Sequence, residues 1–493
     1  MPIKLYNSLT RKTEDLKPLK KVVGLYTCGP TVYAYAHIGN LRTFVFEDIL
    51  KRALIYNDYK VKHIMNITDV GHLTSDADTG EDKMEKGAAR EGKSAWEIAK
   101  FYEGKFKEDL ENLNILKATK YPRATDHIKE QINLIKKLEQ KGFTYQTADG
   151  VYFDTSKLPD YGKLANLKNQ SLEAGARVAM GEKKSPTDFA LWKLSPLSPL
   201  LQGEGRVRSR RQMEWPSPWG VGFPGWHIEC SAMSVKYLGQ PFDIHCGGID
   251  HIPVHHTNEI AQSEAAEGKS LANVWMHGEF LIITNKSDEA AKMSKSGDNF
   301  ITLQTLKTLN FSPLAYRYLL LQTHYRKQLT FSWDALQAAQ NGLQHLYNLA
   351  RELATKPLSD SLLCGGERSV EPSPPQRRGQ GEVSLTQQFL SLINTDLDTP
   401  AALALVWDSL NNKTIPLKTL LKFDEVLGLE IKKNLKVKVE KIPAEIKKLV
   451  ESRELARKNK NWAESDRLRL ELDKLGFLVE DSKDGAKVNK KSL

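Results

Sequence analysis

The chain has 493 residues and a formal net charge of +10, a length that accommodates roughly two to four domains with substantial cores. No apolar run approaches about 18 residues, and the first residues lack the apolar segment of a signal peptide, so we expect no membrane partner. The four cysteines are too few and too scattered for a disulfide framework. This usage favours a reducing, cytoplasmic location and metal or catalytic roles.

The excess of positive charge is concentrated near the C-terminal end. Residues 430–493 contain 18 Lys/Arg against 12 Asp/Glu. A basic region of this kind indicates a polyanionic partner such as RNA. A solvated lysine-rich surface is an equal alternative on composition alone.

The first predicted unit is a strand, a Gly/Pro turn, a helix and a second strand. Its apolar periodicity predicts a strand over residues 21–26, a helix over 41–53 and a strand over 60–68, a βαβ unit of the doubly wound type. The turn therefore lies at the carboxyl end of a strand, where open parallel sheets bind ligands.

The turn carries side chains suited to phosphate. A helix start offers free N–H groups to an anion, Gly39 allows close backbone approach, and His37 and Asn40 can reach a phosphate oxygen. Cys28 stands at the strand end. Alone, such a cysteine is more often a small buried hydrophobe than a ligand.

Residues 83–141 have helical periodicity and are predicted to form an insertion between the two halves of a nucleotide-binding sheet, followed by a strand at 151–154. Residues 87–94 match the phosphate-loop pattern G-x-x-x-x-G-K-S. That pattern works only where an apolar strand feeds it, and the segment before it is charged and helix-like. We therefore assign the match to chance.

Two low-complexity segments, at about 195–215 and 357–383, share Ser-Pro, Gly-Glu and Arg-Arg pairs and lack apolar periodicity. They are predicted to be exposed inserts without a role in the fold. RNA contact by the arginines of the first is the alternative.

The second polar region spans residues 222–267. A strand over 242–250 ends in a double glycine, and the next helix opens with His255 and Glu259. Because these two are four residues apart, they share a helix face and can bind one ion.

The remaining sequence predicts a strand at 280–283 and a cationic Lys/Ser loop at 292–297 suited to a triphosphate. Two helical regions follow, at 313–354 and 386–477. The second ends in a Lys/Arg-rich αα-hairpin closed by Gly476.

Two of these motifs, His37-Ile-Gly-Asn40 and Lys292-Met-Ser-Lys-Ser296, resemble the signature pair of class I aminoacyl-tRNA synthetases. Other segments resemble the cysteinyl-tRNA synthetase family, and the likeness runs from about residue 3 to 485, interrupted by the two inserts. These segments are Tyr26-Thr-Cys-Gly-Pro-Thr-Val-Tyr33, Asn66-Ile-Thr-Asp69, Gly225-Trp-His-Ile-Glu-Cys-Ser-Ala-Met233, His255-His-Thr-Asn-Glu-Ile-Ala-Gln262 and Asn461-Trp-Ala-Glu-Ser-Asp-Arg467.

The resemblance implies a zinc ion, one per chain, held by Cys28, Cys230, His255 and Glu259. Sulfur, nitrogen and oxygen donors of this kind suit zinc. Zinc that binds the substrate thiol would reject serine at the binding step, so no editing domain is implied. Cys246 stands where the family generally has glycine, and we do not count it as a ligand.

The resemblance also implies roles for other residues. The ATP site would comprise Pro30, His37, Gly39, Asn40, Gly248, Asp250, Lys292 and Lys295. Catalysis is assigned to His37, Asn40, Lys292 and Lys295. The amino-acid pocket would comprise Cys28, Gly29, Thr68 and Trp226. Contacts with tRNA are assigned to Trp462, Arg467 and Arg469. For Trp462, a place in the core of the helical hairpin is an equal alternative.

The implied fold is α/β, with a doubly wound Rossmann-type catalytic domain, a helical connective insertion and an all-α C-terminal anticodon-binding region. The expected partners are tRNA(Cys), L-cysteine and ATP with Mg²⁺, and a monomer is expected. The expected divisions are 1–82 and 222–310 for the catalytic halves, 83–221 for the connective region, 311–356 for a stem-contact domain, 357–383 for a linker and 384–493 for the anticodon-binding domain.

Two other functions share part of this pattern. A ligase that joins activated cysteine to an amino sugar would keep both signatures but lack the long C-terminal region. An inactive RNA-binding paralogue would be expected to lose signature lysines or metal ligands, and all are present.

Overall fold

The structure is a computed structural model. It describes residues 2–71, 83–167, 183–195, 211–284, 290–292, 300–355, 384–436, 443–482 and 485–490. The predicted insert at about 195–215 lies mostly outside the described residues, and the one at 357–383 lies wholly outside them.

The first part of the chain forms a β-hairpin and a βαβ unit. Its elements are β1 (Lys4–Asn7), β2 (Lys12–Asp15), β3 (Val22–Thr27), α1 (Ile38–Tyr56) and β4 (Lys60–Met65). β3 and β4 pair in parallel, as the sequence predicts. α1 is buried around most of its circumference, which is the pattern of a helix packed on several sides within a large protein.

The insertion contains helices and a sheet. Its elements are α2 (Lys83–Glu91), α3 (Ala95–Asn112), α4 (Ile128–Gln140), β5 (Thr144–Thr147), β6 (Gly150–Phe153), β7 (Phe189–Leu194) and β8 (Gly222–Pro224). The helices and β6 were predicted, whereas the four-stranded antiparallel sheet in the order β5-β6-β7-β8 was not. Each strand has only three to six residues, so periodicity gave little signal for the sheet.

The phosphate-loop match at 87–94 spans the end of α2 and the start of α3. Ser94 is the N-cap of α3, where its Oγ accepts from Glu97 N at 3.2 Å and Glu97 Oε2 accepts from Ser94 N at 2.8 Å. The serine hydroxyl is therefore engaged in a capping box. Because a helix leads into the motif, its assignment to chance is confirmed.

The second half of the parallel sheet follows the insertion. Its elements are α5 (Trp226–Leu238), β9 (Phe242–Gly248), α6 (His255–Glu267) and β10 (Ala272–Gly278). The sheet order is β10-β9-β3-β4, with all neighbours parallel. The two halves therefore extend in opposite directions from β3 and β9, which makes the gap between those strands a topological switch point.

A small sheet and three helices come next: β11 (Leu281–Thr284), β12 (Ala290–Lys292), α7 (Leu303–Thr308), α8 (Pro313–Leu321), β13 (Leu329–Phe331) and α9 (Trp333–Thr355). β11 pairs antiparallel with β12 and parallel with β13. The strand predicted at 280–283 is confirmed as β11. β13 interrupts the region predicted to be wholly helical at 313–354.

The C-terminal part is helical up to residue 474: α10 (Leu385–Asn394), α11 (Thr399–Asn411), α12 (Leu417–Leu427), α13 (Ile431–Asn434), α14 (Ala444–Lys458) and α15 (Trp462–Lys474). The predicted αα-hairpin is α14 and α15, and Gly476 follows with a φ of 83°. The all-α prediction needs one addition, the antiparallel pair β14 (Phe477–Ser482) and β15 (Gly485–Lys490). Alternating Phe477 and Val479 pack with the helices, which explains the strand.

A buried group of charges joins α1 to the later helices. Asp48 Oδ2 accepts from Arg52 Nε at 2.7 Å and from Arg317 Nη2, on α8, at 2.6 Å. Arg317 also donates to the carbonyls of Leu113, after α3, at 2.9 Å and Leu427, on α12, at 2.8 Å. The side chains of Asp48 and Arg317 are fully excluded from solvent. One arginine thus holds three segments together.

We predict that Arg317→Met destabilises the protein by about 3–5 kcal/mol, because it leaves a buried carboxylate with one fewer partner and two carbonyls unpaired. Urea unfolding followed by tryptophan fluorescence measures the loss. The matched control is Arg467→Met, whose guanidinium is exposed and bonded to Glu464 and Glu471 on its own helix. This control should leave the unfolding midpoint nearly unchanged. An equal shift in both variants would contradict the prediction.

Candidate active site and metal centre

A cavity of about 210 Å³ lies between the carboxyl ends of β3 and β9 and the start of α1. This is the switch point of the sheet, where ligand binding is expected. The predicted residues that line it are Cys28, Gly29, Pro30, Asn40, Trp226, Gly248 and Asp250. Thr68 was also assigned to the amino-acid pocket, but it is buried and is not among the lining residues.

The first signature motif forms the start of α1. His37 is the N-cap, its Nδ1 accepts from Asn40 N at 3.1 Å, and Asn40 Oδ1 accepts from His37 N at 3.4 Å. Because Nδ1 accepts a hydrogen bond, a neutral imidazole at His37 carries its proton on Nε2. Together with the positive end of the helix dipole, this arrangement suits an anion such as a phosphate.

The four predicted metal ligands come together beside the cavity, and Cys28 is the one of the four that lines it. Cys28 follows β3, Cys230 lies on α5, and His255 and Glu259 lie on α6. Their ligand atoms are all within 4.8 Å of one another, and all four side chains are buried. Cys28 Sγ lies 3.9 Å from Cys230 Sγ and 3.8 Å from Glu259 Oε1, and His255 Nε2 lies 3.1 Å from Glu259 Oε1. This group could hold a metal ion.

A second set of four shares two of these residues. It adds His245 and His256 to Cys28 and Glu259, with Glu259 Oε2 3.0 Å from His245 Nε2 and Cys28 Sγ 3.3 Å from His256 Nε2. The sequence prediction missed these histidines. His256 was visible beside His255, but only the fold shows that both neighbouring imidazoles face the same carboxylate.

The electrostatics of the group match a cation site. Burial alone would lower the pKa of His255, yet the Glu259 carboxylate raises it to about 10. Burial alone would raise the pKa of Glu259, yet His245 and His255 hold it well below its usual range. Burial and Cys230 raise the pKa of Cys28. The hydrogen bond from Cys28 lowers the pKa of Cys230. A divalent ion can replace the protons held here, since thiolate and neutral imidazole are the metal-binding forms.

Outer hydrogen bonds orient the imidazoles. His255 Nδ1 lies 3.0 Å from His227 Nδ1, and His256 Nδ1 lies 2.8 Å from His277 Nε2. His245 stacks on Trp275 with ring centroids 4.4 Å apart. Such outer contacts fix the tautomer and direction of a ligating ring.

The second signature is only partly described. Lys292 ends β12, where its backbone alone is described, and Lys295 lies outside the described residues. The residues on both sides of the motif contact α1 through backbone carbonyls. These contacts are Phe280 O with Arg42, and Ile301 O with Ile38 N at 2.9 Å. The flanks of the motif thus lie against the helix that begins at the first signature.

The predicted tRNA contacts lie on α15. Trp462 is 58% exposed, so it is not a core residue of the hairpin, and the guanidinium of Arg457 lies 5.8 Å from its ring centroid. Arg467 is bonded to Glu464 and Glu471, and Arg469 is exposed. An exposed tryptophan beside an arginine provides a stacking face for a base.

The sequence prediction also missed the aromatic wall of the cavity. Tyr102 and Phe106 on α3 line it together with Tyr33 and Tyr35. Both α3 residues carry the helical periodicity of a core face, so nothing in the sequence distinguishes packing from ligand contact.

Comparison with known proteins agrees with this geometry. Residues 15–341 match the family model "tRNA synthetases class I (C) catalytic domain", and residues 440–488 match "Cysteinyl-tRNA ligase anticodon binding domain". The methionyl-tRNA synthetase of Mycobacterium tuberculosis, solved with methionyl-adenylate, superposes with a TM-score of 0.54 at 16% identity over 84% of this chain and 90% of that chain. The fold and site therefore define a class I aminoacyl-tRNA synthetase.

Two similar sequences narrow the class. Cysteine–tRNA ligase 1 of Burkholderia lata is 50% identical over 99% of this chain and 97% of that protein. The cysteine–tRNA ligase of Treponema denticola is 44% identical over 98% of each. The chain belongs to the cysteine–tRNA ligase family. The match at 440–488 lies in the C-terminal region that a ligase joining cysteine to an amino sugar would lack.

One further finding concerns membranes. Across the described ranges, every helix is too short or too polar to cross a bilayer.

We predict that Gly29→Ala abolishes most activity, because an added Cβ would lie 1.7 Å from the Asn66 carbonyl oxygen and force the strand end to move. A shift of about 1 Å at a catalytic site costs on the order of a hundredfold in rate. The measurement is cysteine-dependent ATP–pyrophosphate exchange. Gly104→Ala on α3, where a Cβ meets nothing within 4 Å, is the control and should retain full exchange. Normal exchange by Gly29→Ala would contradict the inference that the turn after β3 needs a residue without a side chain at position 29.

Proposed function

We propose that the chain attaches L-cysteine to tRNA(Cys) in two steps. The observation that carries the proposal is that one cavity is lined both by Cys28, a member of the thiol, imidazole and carboxylate group, and by Asn40 of the capped helix start. The first feature selects a thiol substrate and the second binds phosphate.

In the first step, the carboxylate of cysteine attacks the α-phosphate of ATP and releases pyrophosphate. Catalysis of this kind rests on positioning and on neutralising charge. We assign phosphate contacts to His37, Gly39 and Asn40 at the start of α1, with Pro30 in the preceding turn. Lys292 and Lys295 would neutralise the pyrophosphate, with Mg²⁺ bound to ATP.

The adenosine is assigned to the end of β9. Gly248 lines the cavity, where its backbone would approach a ligand closely, and Asp250 follows two residues later in the short helix Ile249–His251. A carboxylate accepts hydrogen bonds from ribose hydroxyls. Asp250 would therefore orient the ribose.

Zinc is the metal we assign to the group formed by Cys28, Cys230, His255 and Glu259. The donor set, two sulfurs with one nitrogen and one oxygen, suits zinc, and all four side chains are buried close together. Bound zinc would accept the substrate thiolate as an additional ligand, which serine cannot match. Gly29, Thr68 and Trp226 would shape the remaining pocket.

In the second step, the terminal adenosine of the tRNA attacks the adenylate. The basic C-terminal hairpin would hold the anticodon, with Trp462, Arg467 and Arg469 as contacts. Arg467 would exchange its own-helix carboxylates for phosphate or base, which the exposure of these ion pairs permits. The domain divisions, the monomeric state and the cytoplasmic location remain predictions.

We predict that the purified protein carries about one zinc per chain and shows ATP–pyrophosphate exchange with cysteine at least about a hundredfold faster than with serine. Exchange across the amino acids, with metal content from the same preparation, is the measurement. Chelation should lower zinc content and exchange together. Exchange with methionine but not with cysteine would contradict the proposed substrate.

We predict that Cys28→Ser lowers zinc content and the preference for cysteine together, because a hydroxyl is a much poorer ligand for zinc than a thiolate. The matched control is Cys246→Ser. Cys246 is equally buried but lies in neither candidate ligand set, so this variant should keep its zinc. Lost activity at full zinc occupancy in Cys28→Ser would remove Cys28 from the ligand set.

A further inference from the structure

Three buried side chains connect the wall of the cavity to α5. Gly29 N donates to Asn66 Oδ1 at 2.9 Å, Asn66 Nδ2 donates to Thr68 Oγ1 at 3.1 Å, and Thr68 Oγ1 donates to Glu229 Oε2 at 3.0 Å. Asn66, Thr68 and Glu229 are each at most 1% exposed. Glu229 is neither a member of a candidate metal set nor a lining residue of the cavity.

In this series of three hydrogen bonds, every donor lies on the Gly29 side and every acceptor on the Glu229 side. A backbone N–H can only donate and a carboxylate oxygen accepts, so the two ends fix the orientation of the groups between them. The Asn66 oxygen must face Gly29, and its amide nitrogen must face Thr68. The single proton of the Thr68 hydroxyl is then directed to Glu229. Thr68 retains a lone pair and has no proton for another partner.

The same series of hydrogen bonds fixes the plane of the Cys28–Gly29 peptide at the cavity wall. A trans peptide is planar, so the Cys28 carbonyl points away from the Gly29 N–H that Asn66 holds. Cys28 and Gly29 both line the cavity. Two more backbone bonds keep the segments in register, Thr68 N to Pro30 O at 3.1 Å and Val32 N to Thr68 O at 3.1 Å. The Gly29 N–H and the Thr68 hydroxyl proton are therefore both engaged and are not available as donors to a ligand at this wall.

We propose that Glu229 is a positioning residue for substrate selection. Acting through Thr68 and Asn66, it withdraws the Gly29 N–H as a donor from the pocket, which favours the α-ammonium group of the amino acid over an anionic group at this wall. The inference rests on the proposed function, because it assumes that cysteine occupies this cavity. Glu229 itself does not contact the substrate.

The test compares three thiols that differ in one group. Cysteine has an ammonium and a carboxylate, cysteamine lacks the carboxylate, and 3-mercaptopropionate lacks the ammonium. Their binding to zinc-loaded full-length protein is measured by calorimetry for the wild type, Glu229→Gln and Thr68→Val, together with KM and kcat for cysteine-dependent exchange.

The expected result is a selective loss. Cysteine and cysteamine should bind about tenfold more weakly to both variants, the size of one hydrogen bond to a charged group, while binding of 3-mercaptopropionate changes less than about twofold. KM for cysteine should rise by about the same factor with kcat nearly unchanged. Thr68→Ser, which keeps the hydroxyl, should restore cysteine binding.

A control separates this role from packing. Thr155→Val removes a buried threonine hydroxyl that donates to Asp188 Oδ1 at 2.7 Å in the antiparallel sheet, and it should leave all three affinities unchanged. If Thr68→Val does not fold, Asn66→Asp gives the same contrast, because it keeps the acceptor for Gly29 and removes the donor to Thr68.

Three results would overturn the inference: equal weakening of all three thiols, loss of zinc from Glu229→Gln, or a Thr68→Ser variant as impaired as Thr68→Val. Each of these contradicts the inference alone. A wild-type protein that binds none of the three thiols contradicts the proposed function as well.

Discussion

Cys28 lies one residue beyond β3, and its backbone N–H donates to the Cys246 carbonyl of the neighbouring strand β9 at 3.1 Å. This contact extends the parallel pairing to the point where the two halves of the sheet diverge. The insertion after β4 and the loop after β9 both leave from this edge, and α5 begins beside it at Trp226. Because the strand ends are held together, groups separated by more than 200 residues in the sequence can form one metal-binding cluster.

The cluster also shows how a site can be both buried and charged. Glu259 is fully enclosed, and enclosure alone would favour its neutral form. Two imidazoles, of His245 and His255, reverse that preference. His256 and His277 have the opposite tendency, since burial and neighbouring histidines lower their pKa values well below the ordinary value. The neutral rings of His256 and His277 therefore add no like charge beside His245 and His255.

Much of the fold could be predicted from the sequence. β3, α1 and β4 follow from apolar periodicity, and the position of the ligand cavity follows from the rule for strand ends in parallel sheets. The metal set could be predicted only through the family resemblance, because its four residues come from three separate elements with no regular spacing. The place of His245 beside Glu259 could not be predicted. In a strand that is buried on both faces, the strand register decides which face a given side chain occupies. The sheet β5-β6-β7-β8 was missed because its strands have only three to six residues each, and because the insert separates β7 from β8 in the sequence.

The contacts of Arg317 with α1 and α12 limit where the chain can be cut into separately folding parts. The match to the catalytic family ends at residue 341, inside α9, yet Arg317 and Asn114 bond to the carbonyls of Leu427 and Gly428 far beyond that point. A fragment that ended at residue 341 would lack α12, and the buried side chains of Arg317 and Asp48 would become exposed to solvent. By contrast, α14, α15 and the last β-hairpin share a small apolar core of their own. Recombination between relatives would therefore exchange that terminal unit far more easily than the helices before it.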